Sequence, residues 1–145
     1  MPSFTVEAAD LWNEGPVIEV TLSLTGPAHA ALTQNEQPIP APVSVQLLVD
    51  TGASHSCIAD GVLGPLGLYP VGTIGINTPS SHNVACALYA VRLTLPHGGW
   101  LDTSVIQVPP GGLEGQTVQG LRGRDVLQFG LLIYLGQRGQ FTLSF

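Results

Sequence analysis

Glycine and proline punctuate this chain from end to end, and their spacing limits its fold more than any other feature. Eighteen Gly and twelve Pro make up about a fifth of the 145 residues and are scattered along the chain, not gathered into one tract. Between them lie short apolar runs, the pattern of strands separated by turns, and no amphipathic stretch reaches helix length. Within residues 17–24, Ile18, Val20, Leu22 and Leu24 share one face while Glu19, Thr21 and Ser23 share the other, the period of two of a half-buried strand. Residues 43–49 are apolar at 43, 45, 47 and 49 and predict a second strand. Further strands are expected over 71–77 and 83–95, joined by a polar turn at 77–81, then over 100–108 after the turn His97-Gly98-Gly99, and over 131–135 and 140–145. Residues 25–42, with Pro27, Pro38, Pro40 and Pro42, read as a surface loop. Residues 58–68 suggest a short helix or turn, and 124–129 a late short helix.

The length suits one domain and not two. Residues 1–16 read as an N-terminal extension and 17–145 as the domain proper. The charged residues are four Arg and ten Asp+Glu, for a net charge of −6, and Lys is absent. Without Lys there is no Schiff-base chemistry, no phosphate-loop lysine and no polybasic patch, so neither nucleic acid nor a membrane surface is an expected partner. At 10% charged residues, well under the roughly 25% of an average domain, part of the surface is expected to be covered by a partner chain. The N-terminus has no basic start followed by an apolar run, no stretch approaches 18 apolar residues, and Cys57 and Cys86 are too few for a disulfide scaffold. A cytoplasmic protein with two reduced thiols is the expectation.

One segment breaks the usual rules. In Leu47-Leu48-Val49-Asp50-Thr51-Gly52-Ala53-Ser54 a carboxylate ends a strongly apolar strand. Apolar flanks imply burial, and an isolated buried carboxylate is costly, so Asp50 is expected either to be paired in space or to carry a raised pKa. The plainer reading is a turn, since Asp-Thr-Gly is a good turn tripeptide. A second segment, Gly120-Leu121-Arg122-Gly123-Arg124-Asp125-Val126-Leu127, lies about 70 residues downstream. Together, the apolar strand running into Asp-Thr-Gly-Ala and the later Gly-Arg-Asp-Val-Leu resemble the retropepsin-like aspartic proteases. These are single-domain enzymes of retroviruses with relatives in cells and bacteria. The resemblance covers roughly residues 43–145, and the ending Phe141-Thr142-Leu143-Ser144-Phe145 resembles the family's terminal strand.

The resemblance implies an all-β fold, a closed retropepsin-like β-barrel with one short C-terminal helix, assembled as a homodimer. It implies an aspartic endopeptidase needing no metal or other cofactor, acting on an extended polypeptide. That chemistry requires two carboxylates sharing one proton, because like charges about 3 Å apart cannot both ionise. The chain holds one Asp-Thr-Gly, so a two-fold dimer would supply Asp50 twice. By the same resemblance Asp50, Thr51 and Gly52 form the catalytic loop, with Thr51 bonding across the dimer axis and Gly52 meeting the substrate backbone. Residues 73–82 would be a flap closing over the peptide, and Ala53, Ile74, Gly75, Ile76, Asn77 and Leu121 would contact substrate. Gly123, Arg124 and Asp125 would support the active-site loop and the short helix. This chain departs from the family in several places. Arg122 stands where an apolar residue is usual, either facing outward or near the groove. Ser54-His55-Ser56 replaces the viral acid, so Arg124 must pair with Asp60, backbone or another group. The strand at 131–135 is closer to cellular and bacterial relatives.

The remaining candidates are weaker. His29, His55, His82 and His97 lack metal-ligand spacing. Cys57 reads as a buried small residue, and a nucleophilic role would need an oriented His, for which His55 is slim support. Trp12 and Trp100 read as core or interface aromatics. The rival reading keeps the fold as a dimerising or peptide-binding module without turnover. A buried pair of like charges gives such a module nothing evident, and a dimer that binds peptides but cuts none would favour it.

Overall fold

The computed structural model describes residues 2–145. Ten strands run in the order β1 (Ser3–Glu7), β2 (Val17–Ser23), β3 (Val43–Val49), β4 (Cys57–Ile58), β5 (Gly72–Thr78), β6 (Ser81–Thr94), β7 (Trp100–Gln107), β8 (Gly120–Arg122), β9 (Leu131–Leu135) and β10 (Gln140–Ser144). The α-helical segments are short: α1 (Leu11–Glu14), α2 (Gly26–Gln34) and α3 (Arg124–Leu127). None of the described helices is long and apolar enough to cross a membrane.

The strands form two sheets, one with the order β1-β10-β9 and one with the order β2-β3-β8-β4-β7-β6-β5. The larger sheet curls until β2 also meets β6, where Thr21–Ser23 pairs with Arg92–Thr94. β5 extends past that junction as a free edge, and the three-stranded sheet stays separate. The single closed barrel expected from sequence is therefore corrected to two sheets. The reason is that β9, β10 and β1 satisfy one another's backbone groups and do not join the curled sheet.

The period-two pattern is realised in the core. Ile18, Val20 and Leu22 are buried while Glu19 is exposed, and Val45, Leu47 and Val49 repeat this on β3. These side chains meet Val91, Leu93, Phe141 and Leu143 in one apolar cluster, whose removal from water is the main stabilising contribution. A second, smaller cluster of Cys57, Cys86, Ile106 and Val108 lies under the β5–β6 hairpin.

One reading from sequence is corrected here, and a second is narrowed to its turn alternative. Residues 25–42 are not wholly loop, since Gly26–Gln34 is helical. The Thr25 hydroxyl accepts from the Ala28 N–H at 3.4 Å, Pro27 sits in the first turn, and Ala28, Ala30 and Ala31 favour helix. Residues 58–68 form only the end of β4 and a single 3₁₀ turn at Gly64–Leu66. Residues 3–14 belong to the packed structure. β1 pairs along its whole length with β10, and Leu11 is buried in the main core. Trp12 and Trp100 are not core residues, being 91% and 58% exposed. Trp100 lies under the Arg92 guanidinium, 3.8 Å from its ring centre, while Arg92 also bonds Asp102 at 2.8 Å.

Candidate active site

The site is built on two neighbouring parallel strands. Leu47, Leu48 and Val49 of β3 align with Gly120, Leu121 and Arg122 of β8. Parallel neighbours point their C-terminal ends the same way, so the loops after Val49 and after Arg122 emerge side by side although about 70 residues separate them in sequence. The Asp50 N–H continues the ladder by donating to the Arg122 carbonyl at 3.0 Å. Gly120 permits the close strand contact, because a Cβ there would collide with the Cys57 carbonyl and lie 2.8 Å from Leu47.

The loop after Asp50 is held from below by the 123–125 segment. Arg124 Nη1 donates to the Thr51 carbonyl at 2.7 Å and the Arg124 N–H to the Ala53 carbonyl at 2.9 Å. The Asp125 N–H reaches the Ser54 carbonyl at 3.2 Å. The Asp125 carboxylate accepts the Ser56 N–H and the Ser56 hydroxyl, each at 2.8 Å. That hydroxyl oxygen in turn accepts the buried Gly123 N–H at 3.0 Å. Gly123 must lack a side chain, since a Cβ would sit 2.6 Å from the His55 backbone. Ser56 is thus a structural rivet of the loop, and sequence reasoning read it only as part of the Ser54-His55-Ser56 departure. The Ser/Asp-plus-Gly pairing across two segments was its only available signal.

Asp50 itself is half-buried, not enclosed as its apolar flanks suggested. Its Oδ1 accepts the Gly52 N–H at 2.8 Å. The strand ends one residue earlier, so Val49 faces the core and the carboxylate emerges on the loop. Among the described residues no second carboxylate is hydrogen-bonded to it, and Asp125 is committed to Ser56.

A groove of about 290 Å³ runs between this loop and the β5–β6 hairpin. Gly52, Ala53 and Ser54 form one side, and Ile76 and Asn77 the other. Its apolar wall includes Cys57, Ile106, Val108, Leu113 and Leu121. Leu113, Ile106 and Val108 were not foreseen as wall residues, because only folding brings β7 and the loop after it to this place. Ile74 packs into the apolar cluster behind the groove and does not line it. The hairpin turns tightly, with Thr78 opposite Ser81, and is braced by the Asn77 side-chain oxygen accepting the Asn83 N–H at 3.0 Å. Gly75 lies against the Asn83 side chain. Two clefts of about 460 Å³ lie elsewhere, one beside α2 and one against Phe145, and neither includes the Asp50 loop.

Burial raises the Cys57 thiol, and the charges of Asp50 and Asp125 push it the same way against one backbone hydrogen bond at Leu121. Cys57 therefore stays a protonated thiol, unsuited to nucleophilic attack, and His55 is engaged through Nδ1 with the Ser54 hydroxyl at 3.0 Å. Arg122 neither faces outward nor enters the groove. It is fully buried on the core side of β8, its guanidinium 4.2 Å from the centre of the Phe145 ring, and among the described residues none of its three side-chain nitrogens has a hydrogen-bond partner. Alternation explains this: Leu121 takes the groove face, so its neighbour must face the core. Burial lowers the Arg122 pKa to about 10, with the Asp125 charge opposing the shift.

No protein-family model and no curated protein matches the chain. Among solved structures it is similar to the EIAV protease complexed with the inhibitor HBY-793, at 21% identity and a TM-score of 0.45, over 79% of this chain and 86% of that one.

Proposed function

We propose that the chain is an aspartic endopeptidase acting as a homodimer, with one Asp50 from each copy forming the catalytic pair. The observation that carries this reading is the placement of Asp50. It stands on a loop riveted by Gly123, Arg124 and Asp125, half-open to solvent, beside an apolar groove covered by a hairpin. A strand-like peptide fits such a groove, with alternate side chains in the apolar wall and backbone near Gly52 and the hairpin. One carboxylate of the pair takes a proton from water as that water attacks the scissile carbonyl, while the protonated partner donates to the carbonyl oxygen. Thr51 and Gly52 shape the loop, Ala53, Gly75, Ile76, Asn77 and Leu121 meet the substrate, and the hairpin excludes water on closing.

The test is Asp50→Asn, assayed against a peptide library with the thermal midpoint measured in parallel. Cleavage falls at least ~100-fold while the fold is retained. Full activity in a folded Asp50→Asn protein rules the reading out. Activity favours acid to near-neutral pH, since the pair must hold one proton. A profile peaking only above about pH 9 contradicts a shared proton. A dimer that binds peptides and cuts none supports the binding-module reading.

A further inference from the structure

We infer that β9 is the contact strand through which two copies of this chain associate, pairing antiparallel with itself about a two-fold axis at Ile133. The inference rests on the reading above, in which one Asp50 per chain leaves the site incomplete without a second copy.

Among the described residues β9 has one neighbour, β10, so its other edge presents unpaired backbone N–H and C=O groups. Such an edge invites another strand unless charge, proline or a covering element blocks it. β9 has none of these blocks in its sequence, which reads Leu-Leu-Ile-Tyr-Leu. Its pairing with β10 sets which residues face out. Leu132 and Tyr134 stand opposite the fully buried Leu143 and Phe141, leaving Leu131, Ile133 and Leu135 on the outer face. These three are 54%, 44% and 39% exposed. Of the ten large hydrophobic residues exposed on the described surface, five lie within 129–135. Trp12, the most exposed of all, follows Leu11, whose carbonyl accepts from the Tyr134 hydroxyl of β9 at 3.3 Å.

A second copy is the occupant that this surface fits. Each copy carries a net charge of −6, so two copies repel except where the surface is uncharged, as β9 is. The other free edges are unsuited: β1 presents Ser3, Thr5 and Glu7, and β5 presents Thr73, Gly75 and Asn77. An antiparallel pair centred on Ile133 places Leu131 opposite the partner copy's residue 135, and Ile133 opposite its own equivalent. The apolar stripe is then continuous across the axis, and each three-stranded sheet becomes half of a six-stranded one.

Sedimentation and cross-linking test this on the full chain. In an Ile133→Cys variant the two introduced thiols lie about 5 Å apart between Cβ atoms, and mild oxidation yields a covalent dimer that the wild type, with buried Cys57 and Cys86, does not form. Leu131→Cys and Leu135→Cys cross-link when mixed and not alone, because equivalent residues at 131 stand about 13 Å apart. Ile133→Lys weakens association at least tenfold and lowers peptide cleavage with it, while Ser3→Lys on the far edge changes neither. A wild-type dimer that neither cross-links through Ile133→Cys nor loosens with Ile133→Lys overturns this contact and leaves the Asp50 pair standing. A wild type that stays monomeric at high concentration overturns both.

Discussion

The Asp125 carboxylate holds Ser56 by two hydrogen bonds of 2.8 Å, one from its backbone N–H and one from its hydroxyl, and so ties the loop carrying Asp50 to the start of α3. Ser56 is 1% exposed and also receives the Gly123 N–H. Ser56→Ala leaves that buried donor without its partner and costs about 1–3 kcal/mol. Asp125→Ala orphans both Ser56 donors and costs more. A urea titration with unchanged slope measures the loss as a shift in midpoint. Peptide cleavage falls alongside stability in both variants, since the loop that presents Asp50 loosens. An unchanged midpoint in Ser56→Ala contradicts this account.

Gly123 is required by proximity and not by its backbone angles, which any residue adopts at φ −90°. A Cβ would meet the His55 N, C and O atoms at 2.6–2.9 Å, and backbone cannot swing aside as a flexible side chain can. Gly123→Ala is expected to cost about 1–3 kcal/mol and to displace the Asp50 loop, so cleavage drops further than stability alone predicts. Comparing turnover at a temperature where the variant is fully folded separates the two effects.

Arg122 is a charged group inside the core with no hydrogen-bond partner among the described residues, offset by the Phe145 ring and the Asp125 charge. A cation–π contact contributes about 2 kcal/mol when desolvated, less than the several kcal/mol that burying an ion costs. Arg122→Met therefore stabilises the chain by about 1–4 kcal/mol at pH 7. The pH dependence has a definite sign. Burial lowers the Arg122 pKa to about 10 in the folded chain, while the unfolded chain keeps its proton to the higher pH of an ordinary guanidinium. Between these values the unfolded state binds more protons, so wild-type stability rises with pH. The advantage of Arg122→Met shrinks as pH climbs past 10, a trend that denaturant midpoints at pH 7 to 10.5 would reveal.

The Cys57 thiol is buried and held protonated. Alkylation by iodoacetamide at pH 8 is expected to run roughly a hundredfold slower in the folded chain than in denaturant. Rapid labelling of Cys57 without unfolding would show that the groove wall opens freely.

The strands with strict alternation were legible because a period of two is a local property that any half-buried strand must carry. The β5–β6 hairpin, β9, β10 and the short α3 were legible for similar reasons. α2 escaped notice because it buries no residue, so no apolar stripe marked it, although Thr25 and Pro27 were available as start signals. β1 alternates Phe4 and Val6 with polar residues, but its partner β10 lies at the other end of the chain. Asp50, Gly123, Arg124 and Asp125 were legible as a constellation, while the binding of Arg124 to the Thr51 carbonyl and of Asp125 to Ser56 was not.

The order of residues alone determined which segments alternate, where turns fall and which loop holds a lone carboxylate after an apolar strand. These depend on side-chain period and turn chemistry within a few neighbours. Tertiary structure decided that β3 and β8 lie side by side, that Arg122 points into the core, and that β9 is left as an uncharged open edge. Each of those outcomes depends on which distant strand satisfies which backbone, and no short window of sequence contains that competition.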